Sequence, residues 1–324
     1  MIQEKILEAI QSYATIIIHR HVKPDPDALG SQGGLAAAIR EAYPSKHVYQ
    51  VGGPVGDLNW LSTMQEVPDD TYQGALVIVC DTADRPRISD DRFDRGAMLI
   101  KIDHHPNDDA YGDLQWVDED ASSVSEMIFD LIQGSTRKLF LTAASARLLY
   151  AGIVGDTGRF RFNNTQPHTL AAAARLIEED FDPAGLNNRM NAMTFAQAKL
   201  QSYIFDHMTI SDSGAATVTI PLAETEKLGL QPDEVHAAVG TPGRLGEVQA
   251  WALFVEQAGD EPYRVNLRSK GPIINGLAKA HRGGGHPLAS GAKAEDQAEI
   301  AQITKELDEL TAGFSKVGHH DQSI

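Results

Sequence analysis

Residues 15–31 read TIIIHRHVKPDPDALGS, and this stretch decides the fold of the first half of the chain. Residues 15–18 are β-branched and apolar, which is typical of a buried strand. The strand ends in a polar run over residues 19–27, and apolar residues then recur at helical spacing over residues 28–43. The order of strand, polar loop and helix predicts an α/β unit.

Two further apolar runs indicate that this unit belongs to a parallel sheet. Residues 75–80 form one run, which ends at Asp81, and residues 97–102 form another, which ends at Asp103. Short continuous apolar runs separated by helices are typical of parallel strands buried on both faces. We therefore predict an α/β fold whose N-terminal domain has an open, mostly parallel sheet with flanking helices, including helices over residues 122–131 and 143–154.

The pattern changes near residue 205. Strands are expected over residues 207–220, 247–255 and 263–268, and helices over residues 222–228, 273–281 and 294–310. Because these strands follow one another with few crossovers, we predict a smaller α+β C-terminal domain. The expected boundaries are residues 1–185 for the first domain, 186–203 for a linker helix, 204–315 for the second domain and 316–324 for a loose tail.

Composition narrows the classes of function. The 324 residues include 28 Lys and Arg against 45 Asp and Glu, a net charge of −17. This argues against a protein that coats long nucleic acid, which needs basic surface opposite the phosphates. It leaves room for a short nucleotide held at bound metal ions. The single cysteine, Cys80, excludes an internal disulfide and a zinc site built from cysteines.

Hydropathy gives an expectation about location. No run approaches the roughly 20 apolar residues that cross a bilayer. Residues 1–10 are amphipathic and carry acids, unlike a signal peptide. We expect a cytoplasmic protein without a membrane partner, and a homodimer is compatible with the sequence.

Four acidic or histidine-bearing clusters each follow a predicted strand or helix. The loops at the carboxyl ends of parallel strands converge on one crevice, so these clusters are expected to meet. A single Asp at a strand end is more often a turn former or a helix cap, and residues 155–158 (GDTG) could be simple turn chemistry. The recurrence of the pattern at four element ends favours a shared site. The candidates are His21, Asp25, Asp27, Asp81, Asp103, His104, His105 and Asp156.

Such a site requires positive counter-charge, because carboxylates this close cannot all ionise unaided. Histidine and carboxylate ligands suit manganese or a similar ion. The number of ligands suits two divalent ions about 3.5–4 Å apart, with Mn²⁺ as the expected metal. The predicted ligands are His21 and Asp25 for one ion, Asp27, His104 and Asp156 for the other, and Asp81 as the bridge.

The remaining two residues of this set are the predicted catalytic residues. Asp103 would accept a hydrogen bond from an imidazole and fix its orientation. His105 would contact the substrate phosphate or move a proton.

Residues 283–291 read GGGHPLASG. Consecutive glycines permit positive φ and bring backbone N–H groups close to a ligand, which suits an anion-binding nest. By itself such a run would be better explained as a flexible hairpin, but it follows a basic stripe that begins at Arg264. That stripe could also be a solvated strand edge; we favour substrate binding. The predicted substrate contacts are Arg268, Ser269, Gly283, Gly284, Gly285 and His286, with Arg159 as a weaker candidate.

These motifs resemble the DHH family of phosphoesterases, whose name-giving triad stands here as Asp103-His104-His105. The run over residues 21–31, Asp81, and the GDTGRF run over residues 155–160 stand in the family's order. The run over residues 283–291 is similar to the signature of the DHH-associated C-terminal domain. Within the family the chain resembles the two-domain nanoRNases.

That resemblance implies metals on the first domain and nucleotide recognition on the second. It implies a Mn²⁺-dependent 3′-5′ exoribonuclease that releases mononucleotides from very short oligoribonucleotides. It also implies removal of the 3′-phosphate from phosphoadenosine phosphate, and no action on long nucleic acid.

Three alternatives stay open. A phosphodiesterase of linear di-adenylate or cyclic di-AMP would use the same metals with a different C-terminal pocket. A family II inorganic pyrophosphatase has a similar metal motif, although the glycine-rich signature argues against it. A nucleotide-binding sensor without turnover is the alternative outside the enzymes, and the intact ligand positions argue against it.

Overall fold

The computed structural model describes residues 1–136, 138–259 and 262–318. The chain divides into two compact units, Met1–Asn191 and Ala192–Ile324. Within the described residues, no helix is long and apolar enough to cross a membrane.

The first unit is built on a single sheet of five parallel strands in the order β2-β1-β3-β4-β5. The predicted strands at residues 15–18, 75–80 and 97–102 are confirmed as β1, β3 and β4. The hydropathy pattern does not predict the edge strands β2 and β5, because each has only four residues. The strands are β1 (Thr15–His19), β2 (His47–Gln50), β3 (Leu76–Cys80), β4 (Met98–Asp103) and β5 (Leu114–Val117).

Helices cover one face of this sheet. Ile16 and Ile18 point into a core shared with the helices, whereas Ile17 points to the opposite face. There it packs with Tyr72 and Tyr111 from the connecting loops, so that face is covered mainly by loops. The helices are α1 (Ile2–Ser12), α2 (Pro26–Ala42), α3 (Val124–Gly134), α4 (Ala143–Asp156), α5 (Pro167–Leu176) and α6 (Pro183–Met190).

Helices α2 and α4 pack closely against each other at the glycines of α2. A Cβ atom added to Gly30 would lie 2.5 Å from the carbonyl oxygen of Leu148, and one added to Gly34 would lie 2.5 Å from Cδ2 of Leu149. Such contacts leave no room for a methyl group. The close approach matters because α2 begins, and α4 ends, with residues of the predicted metal site.

The second unit contains a mixed sheet of six strands in the order β10-β11-β9-β8-β7-β6. The pair β7 and β8 is parallel, and the other described pairs of this sheet are antiparallel. Separate apolar cores lie on its two faces. The strands are β6 (Thr209–Ile210), β7 (Ala215–Ile220), β8 (Ala250–Glu256), β9 (Tyr263–Ser269), β10 (Gly284–His286) and β11 (Ala289–Ala294), and the helices are α7 (Phe195–His207), α8 (Leu222–Leu228), α9 (Pro232–His236), α10 (Asn275–Ala280) and α11 (Gln297–Gly318).

Two expectations for this unit need correction. The single strand expected over residues 207–220 is the end of α7 followed by the β6–β7 hairpin, whose turn uses Gly214 at φ +86°. Helix α11 continues to Gly318, past the expected end at Leu310 and into the segment expected to be loose. Residues 319–324 of that expected tail lie outside the described residues. Residues 186–203 hold the end of α6 and most of α7, which Thr194 caps.

Candidate metal centre

The structure brings all six predicted ligands to one edge of the first sheet. His21, Asp81 and His104 follow the carboxyl ends of β1, β3 and β4, while Asp27 lies in the first turn of α2 and Asp156 ends α4. Their ligand atoms form three overlapping groups, each with its atoms within 4.8 Å of one another. The groups are His21, Asp25 and Asp81; Asp27, His104 and Asp156; and Asp81, His104 and His105.

Asp81 lies between the other groups. Its Oδ2 is 3.3 Å from Nε2 of His21, and its Oδ1 is 3.7 Å from Nε2 of His104. The backbone of Asp81 is left-handed, at φ +52°, which turns the side chain into the cluster. Oδ1 is buried without a hydrogen-bond partner among the described residues. A buried carboxylate oxygen of this kind calls for a cation, and its position suits a bridging ligand.

Hydrogen bonds fix the orientation of the ligand imidazoles. Nδ1 of His21 lies 2.7 Å from the carbonyl oxygen of Val22, and Nδ1 of His104 lies 3.3 Å from that of Ala121. Because a carbonyl oxygen only accepts, Nδ1 carries the proton in both rings. Each Nε2 then faces the carboxylates, which is the arrangement that metal-binding histidines adopt.

Asp27 is held on both sides by another helix. Its Oδ2 accepts the N–H of Val124 at 2.7 Å, and its Oδ1 accepts the N–H of Ser125 at 2.8 Å. These N–H groups open α3, where the helix dipole favours an anion. Asp25 is placed differently: its Oδ1 caps α2 by accepting the N–H groups of Asp27 and Ala28, and its Oδ2 lies 3.6 Å from Nε2 of His21.

The pKa values of the residues in this cluster depend strongly on the charges of their neighbours. Burial acts to lower the pKa of His104, but Asp156, Asp81 and Asp27 outweigh it and raise that pKa to about 11. The pKa of His21 rises to about 10, because Asp25 and Asp81 likewise outweigh burial. Burial and the charges of Asp81 and Asp156 raise the pKa of Asp27 well above its ordinary value. The carboxylates thus favour the protonated, positively charged form of the two imidazoles. A bound divalent cation would supply positive charge to the carboxylates directly.

The two predicted catalytic residues are joined to each other. Nδ1 of His105 donates to Oδ1 of Asp103 at 2.9 Å, and the same oxygen accepts the backbone N–H of His104 at 3.0 Å. Nδ1 of His105 also lies 3.6 Å from Oδ1 of Asp81, which places this ring beside the ligands. Because Nδ1 of His105 is engaged by Asp103, this nitrogen is less suited to bind a metal than the Nε2 atoms of His21 and His104, which face the cluster.

Two buried cations beneath the site were not singled out by sequence. Lys101 is fully buried; its Nζ lies 3.4 Å from Oδ2 of Asp103 and donates to the carbonyl oxygen of Ala83 at 2.8 Å. Arg20 is also fully buried and donates from Nη1 to the carbonyl oxygen of His21 at 2.7 Å. The available signal was a charged residue within, or directly after, a buried apolar strand, where lysine and arginine are rare unless paired.

Arg159 does not join the ligand cluster. Its guanidinium donates to the side-chain and backbone oxygens of Asn187 on α6, both at 2.8 Å. The residue lies in a left-handed run in which Gly158, Arg159 and Phe160 have φ of +53°, +63° and +61°. Such a run turns the chain sharply after Asp156, and it commits Arg159 to the packing of α6.

The glycine-rich motif of the second unit forms the β10–β11 hairpin. Gly284 pairs with Gly291, and Gly285 pairs with Ser290. Gly285 has a φ of +135°, and a Cβ atom on Gly283 would collide with the backbone oxygen of Gly291. Close backbone packing therefore explains two of the three glycines, whereas no atom of the described ranges lies within 4 Å of a Cβ atom added to Gly284.

The predicted phosphate-binding arginine beside that hairpin is half-buried. Arg268 on β9 pairs with Ala289, and its Nη1 donates to the backbone oxygens of Leu267 at 2.8 Å and Ser290 at 3.4 Å. Ser269 follows it and accepts the N–H of Gly271 at 3.0 Å. His286 is exposed at the end of the hairpin.

Comparison with known proteins gives matches in both units. Residues 15–153 match the DHH family, N-terminal domain, and residues 215–313 match the DHHA1 domain. The chain is 49% identical over 307 residues to the bifunctional oligoribonuclease and PAP phosphatase NrnA of Bacillus subtilis, covering 94% of this chain and 97% of that protein. It is 50% identical over 305 residues to the probable protein of the same name in Streptococcus mutans, with the same coverage.

Among solved structures, an exopolyphosphatase-related protein from Bacteroides fragilis superposes with a TM-score of 0.85 at 22% identity. The match covers 96% of this chain and 97% of that one. At this identity the likeness concerns the fold.

Proposed function

The chain belongs to the DHH family of phosphoesterases, and from this premise we propose that it hydrolyses very short oligoribonucleotides to mononucleotides and removes the 3′-phosphate from phosphoadenosine phosphate. The observation that carries the proposal is the match of about half of all residues, over nearly the whole chain, with a protein named for both activities. The convergence of six metal-type ligands in the first unit supports it.

Two divalent ions, Mn²⁺ in our proposal, would be held by the ligands already described. His21 and Asp25 would bind one ion, Asp27, His104 and Asp156 the other, and Asp81 both. The mixed nitrogen and oxygen donors suit Mn²⁺. When bound, such ions supply counter-charge for the phosphate and acidify water.

Hydrolysis forms a bond from water oxygen to phosphorus and breaks the bond from phosphorus to a ribose oxygen, which then needs a proton. We assign the handling of this proton, or contact with the phosphate, to His105. Asp103 would orient the ring through its 2.9 Å bond to Nδ1, and Nε2 would be the nitrogen that acts in the reaction.

The second unit would bind the substrate. Arg268, Ser269 and His286, with the glycines at 283–285, remain the proposed contacts. Arg159 would have to leave Asn187 to reach a phosphate, so we place the main phosphate contact on Arg268. A 3′-5′ direction and a cytoplasmic location stay predictions.

The test is product release by the purified protein on one panel of substrates. The panel holds phosphoadenosine phosphate, a short RNA, linear di-adenylate, cyclic di-AMP and pyrophosphate, each with Mn²⁺, with Mg²⁺ and with chelator. The blank is His104→Ala. The matched control is His168→Ala, since His168 pairs with Asp130 on the surface and lies outside the cluster.

We expect mononucleotides from the short RNA and phosphate from phosphoadenosine phosphate, with Mn²⁺ the better metal. Both activities should fall by orders of magnitude in His104→Ala and persist in His168→Ala. Activity confined to the di-adenylates or to pyrophosphate would overturn the proposed substrates, and binding without any product would favour a sensor.

A further inference from the structure

One face of the second sheet carries two polar residues, Arg264 and Asn266, that the proposed function does not use. Along β9, Arg264, Asn266 and Arg268 alternate with Val265 and Leu267. Val265 and Leu267 pack into the core beneath α10 and α11. Because side chains alternate along a strand, the other three residues share the opposite face.

A cavity of about 300 Å³ opens on this face, between β8, β9 and helices α8 and α9. Its apolar walls come from Leu222, Leu230, Val235 and Val255. Arg264 and Asn266 line it from β9. The volume lies at the lower end of the range of small-molecule sites and is sufficient for a nucleobase.

Asn266 is the unusual member of this lining. The residue as a whole is only 4% exposed and lines the cavity, and its side-chain amide has no hydrogen bond within the part of the chain that the structure describes. Its cross-strand neighbour on β11 is Gly291, so no side chain covers it from that strand. Among the residues that the structure describes, a Cβ atom added to Gly291 would meet only the backbone oxygen of Val265, at 3.8 Å. Because Asn266 lines the cavity and its amide is not engaged by another described residue, that amide is available to a ligand in the cavity.

The chemistry of the cavity fits an adenine base. The side-chain amide of asparagine offers a donor and an acceptor side by side, which match N7 and the N6 amino group of adenine. Apolar walls suit the faces of the ring. Arg264 is exposed at the rim, where its guanidinium can take a phosphate.

We propose that this cavity is an adenine-binding subsite in which Asn266 recognises the base and Arg264 the attached phosphate. Asn266 lies two residues from Arg268, about 7 Å along the strand. The base therefore comes either from a further nucleotide of an oligonucleotide held at Arg268 or from a free adenine nucleotide. The proposal rests on the proposed function only in taking a nucleotide as the ligand.

The first experiment measures binding without turnover. Adenosine, guanosine, uridine and AMP are titrated by calorimetry into the full chain carrying His104→Ala. In that background, Asn266→Leu should weaken adenosine binding by about tenfold or more, the loss expected for a bidentate base contact. Arg264→Gln should weaken AMP more than adenosine. Asn191→Leu, at an exposed asparagine outside the cavity, should change neither.

Thermal unfolding checks that each variant is folded. Gly291→Val is the second variant, because it fills the open space beside Asn266 without removing a buried group, and it should also weaken adenosine binding. Unchanged adenosine binding in a folded Asn266→Leu or Gly291→Val protein would overturn the proposal. So would equal affinity for adenosine, guanosine and uridine.

Hydrolysis separates the two sources of the base. For this measurement the same variants are made in the chain that keeps His104. If the base belongs to the oligonucleotide, Asn266→Leu raises KM for a tri-adenylate and leaves phosphoadenosine phosphate unaffected. If the ligand is a free nucleotide, hydrolysis of both is unchanged while adenosine binding is lost. The calorimetric result does not depend on turnover, so a failure of the proposed function is distinguishable from a failure of the subsite.

Discussion

Lys101 and Asp103 form an ion pair that solvent does not reach: Nζ and Oδ2 lie 3.4 Å apart, and both side chains are fully buried. Asp103 uses its other oxygen to hold His105. The lysine is thus the positive charge beneath the carboxylate that orients the predicted proton-handling ring, while its remaining bonds go to neutral oxygens such as Oδ1 of Asn107 at 3.0 Å.

Replacing this lysine should therefore be costly. In Lys101→Met the carboxylate of Asp103 stays buried without its partner, and breaking a buried pair in this way costs about 3–5 kcal/mol of unfolding free energy. Urea denaturation measures that loss, and Lys199→Met, at an exposed lysine, is the control. A loss no greater than that of the control would show that the pair is not a stabilising feature.

The glycine contact between α2 and α4 predicts a second effect. Gly30→Ala brings a methyl group to 2.5 Å from the carbonyl oxygen of Leu148, and such overpacking costs about 1–3 kcal/mol. Gly134→Ala, at the end of α3, has no described residue within 4 Å of the added atom and should be neutral or slightly stabilising. Equal denaturation midpoints for the two variants would contradict a tight contact between the helices.

Metal binding should stabilise the folded protein measurably. An ion that binds only the native state adds about 2.7 kcal/mol at a concentration of 100 Kd. We expect Mn²⁺ to raise the thermal midpoint, a chelator to reverse the rise, and Asp81→Asn to abolish it. His168→Ala should keep the full shift. A shift of the same size in Asp81→Asn would place the ion elsewhere.

The second unit predicts a pH dependence of stability. Both ring nitrogens of His281 lie 2.9 Å from carboxylates, Nδ1 from Glu299 and Nε2 from Glu306. Burial acts to lower the pKa of His281, but these two acids outweigh it, so the pKa is raised above its ordinary value of 6.5. A raised pKa means that stability is fully present below about pH 6.5 and is lost as the pH rises through the folded-state pKa.

The difference in unfolding free energy between the natural chain and His281→Asn should therefore be largest near pH 6 and shrink toward pH 9. The carboxylate of Glu299 stays ionised over this range, because His281 and Arg282 outweigh burial and lower its pKa to about 2. Denaturation at several pH values measures the difference, with His207→Asn on α7 as the control. A difference that does not depend on pH would exclude a charged imidazole.

The central strands could be predicted from sequence because each is a short, continuous apolar run. A helix of that length would not be expected to be apolar on every side. The edge strands could not: residues 47–50 and 114–117 carry polar side chains and are defined only by their pairing with β1 and β4. The hairpin at residues 209–220 was missed for a related reason, since only the turn at Gly214 divides it.

The convergence of the candidate ligands was predictable because parallel topology brings strand ends together, whatever their separation in sequence. The buried cations beneath the site could not be predicted, because their contacts depend on tertiary packing. That Lys101 lies beneath Asp103, and that Arg20 holds the carbonyl oxygen of His21, follows from β4 and β1 being buried on both faces. Sequence pattern alone also could not show that Arg159 is committed to Asn187.

The ligand that ends α4 has a consequence during synthesis of the protein. Asp156 is the last of the proposed ligands to leave the ribosome, and α4 is also the helix against which α2 must pack before Asp27 is in place. A nascent or truncated chain that stops short of this helix lacks both the ligand and the packing. A chain that stops short of α4 should therefore fail to retain the proposed metals.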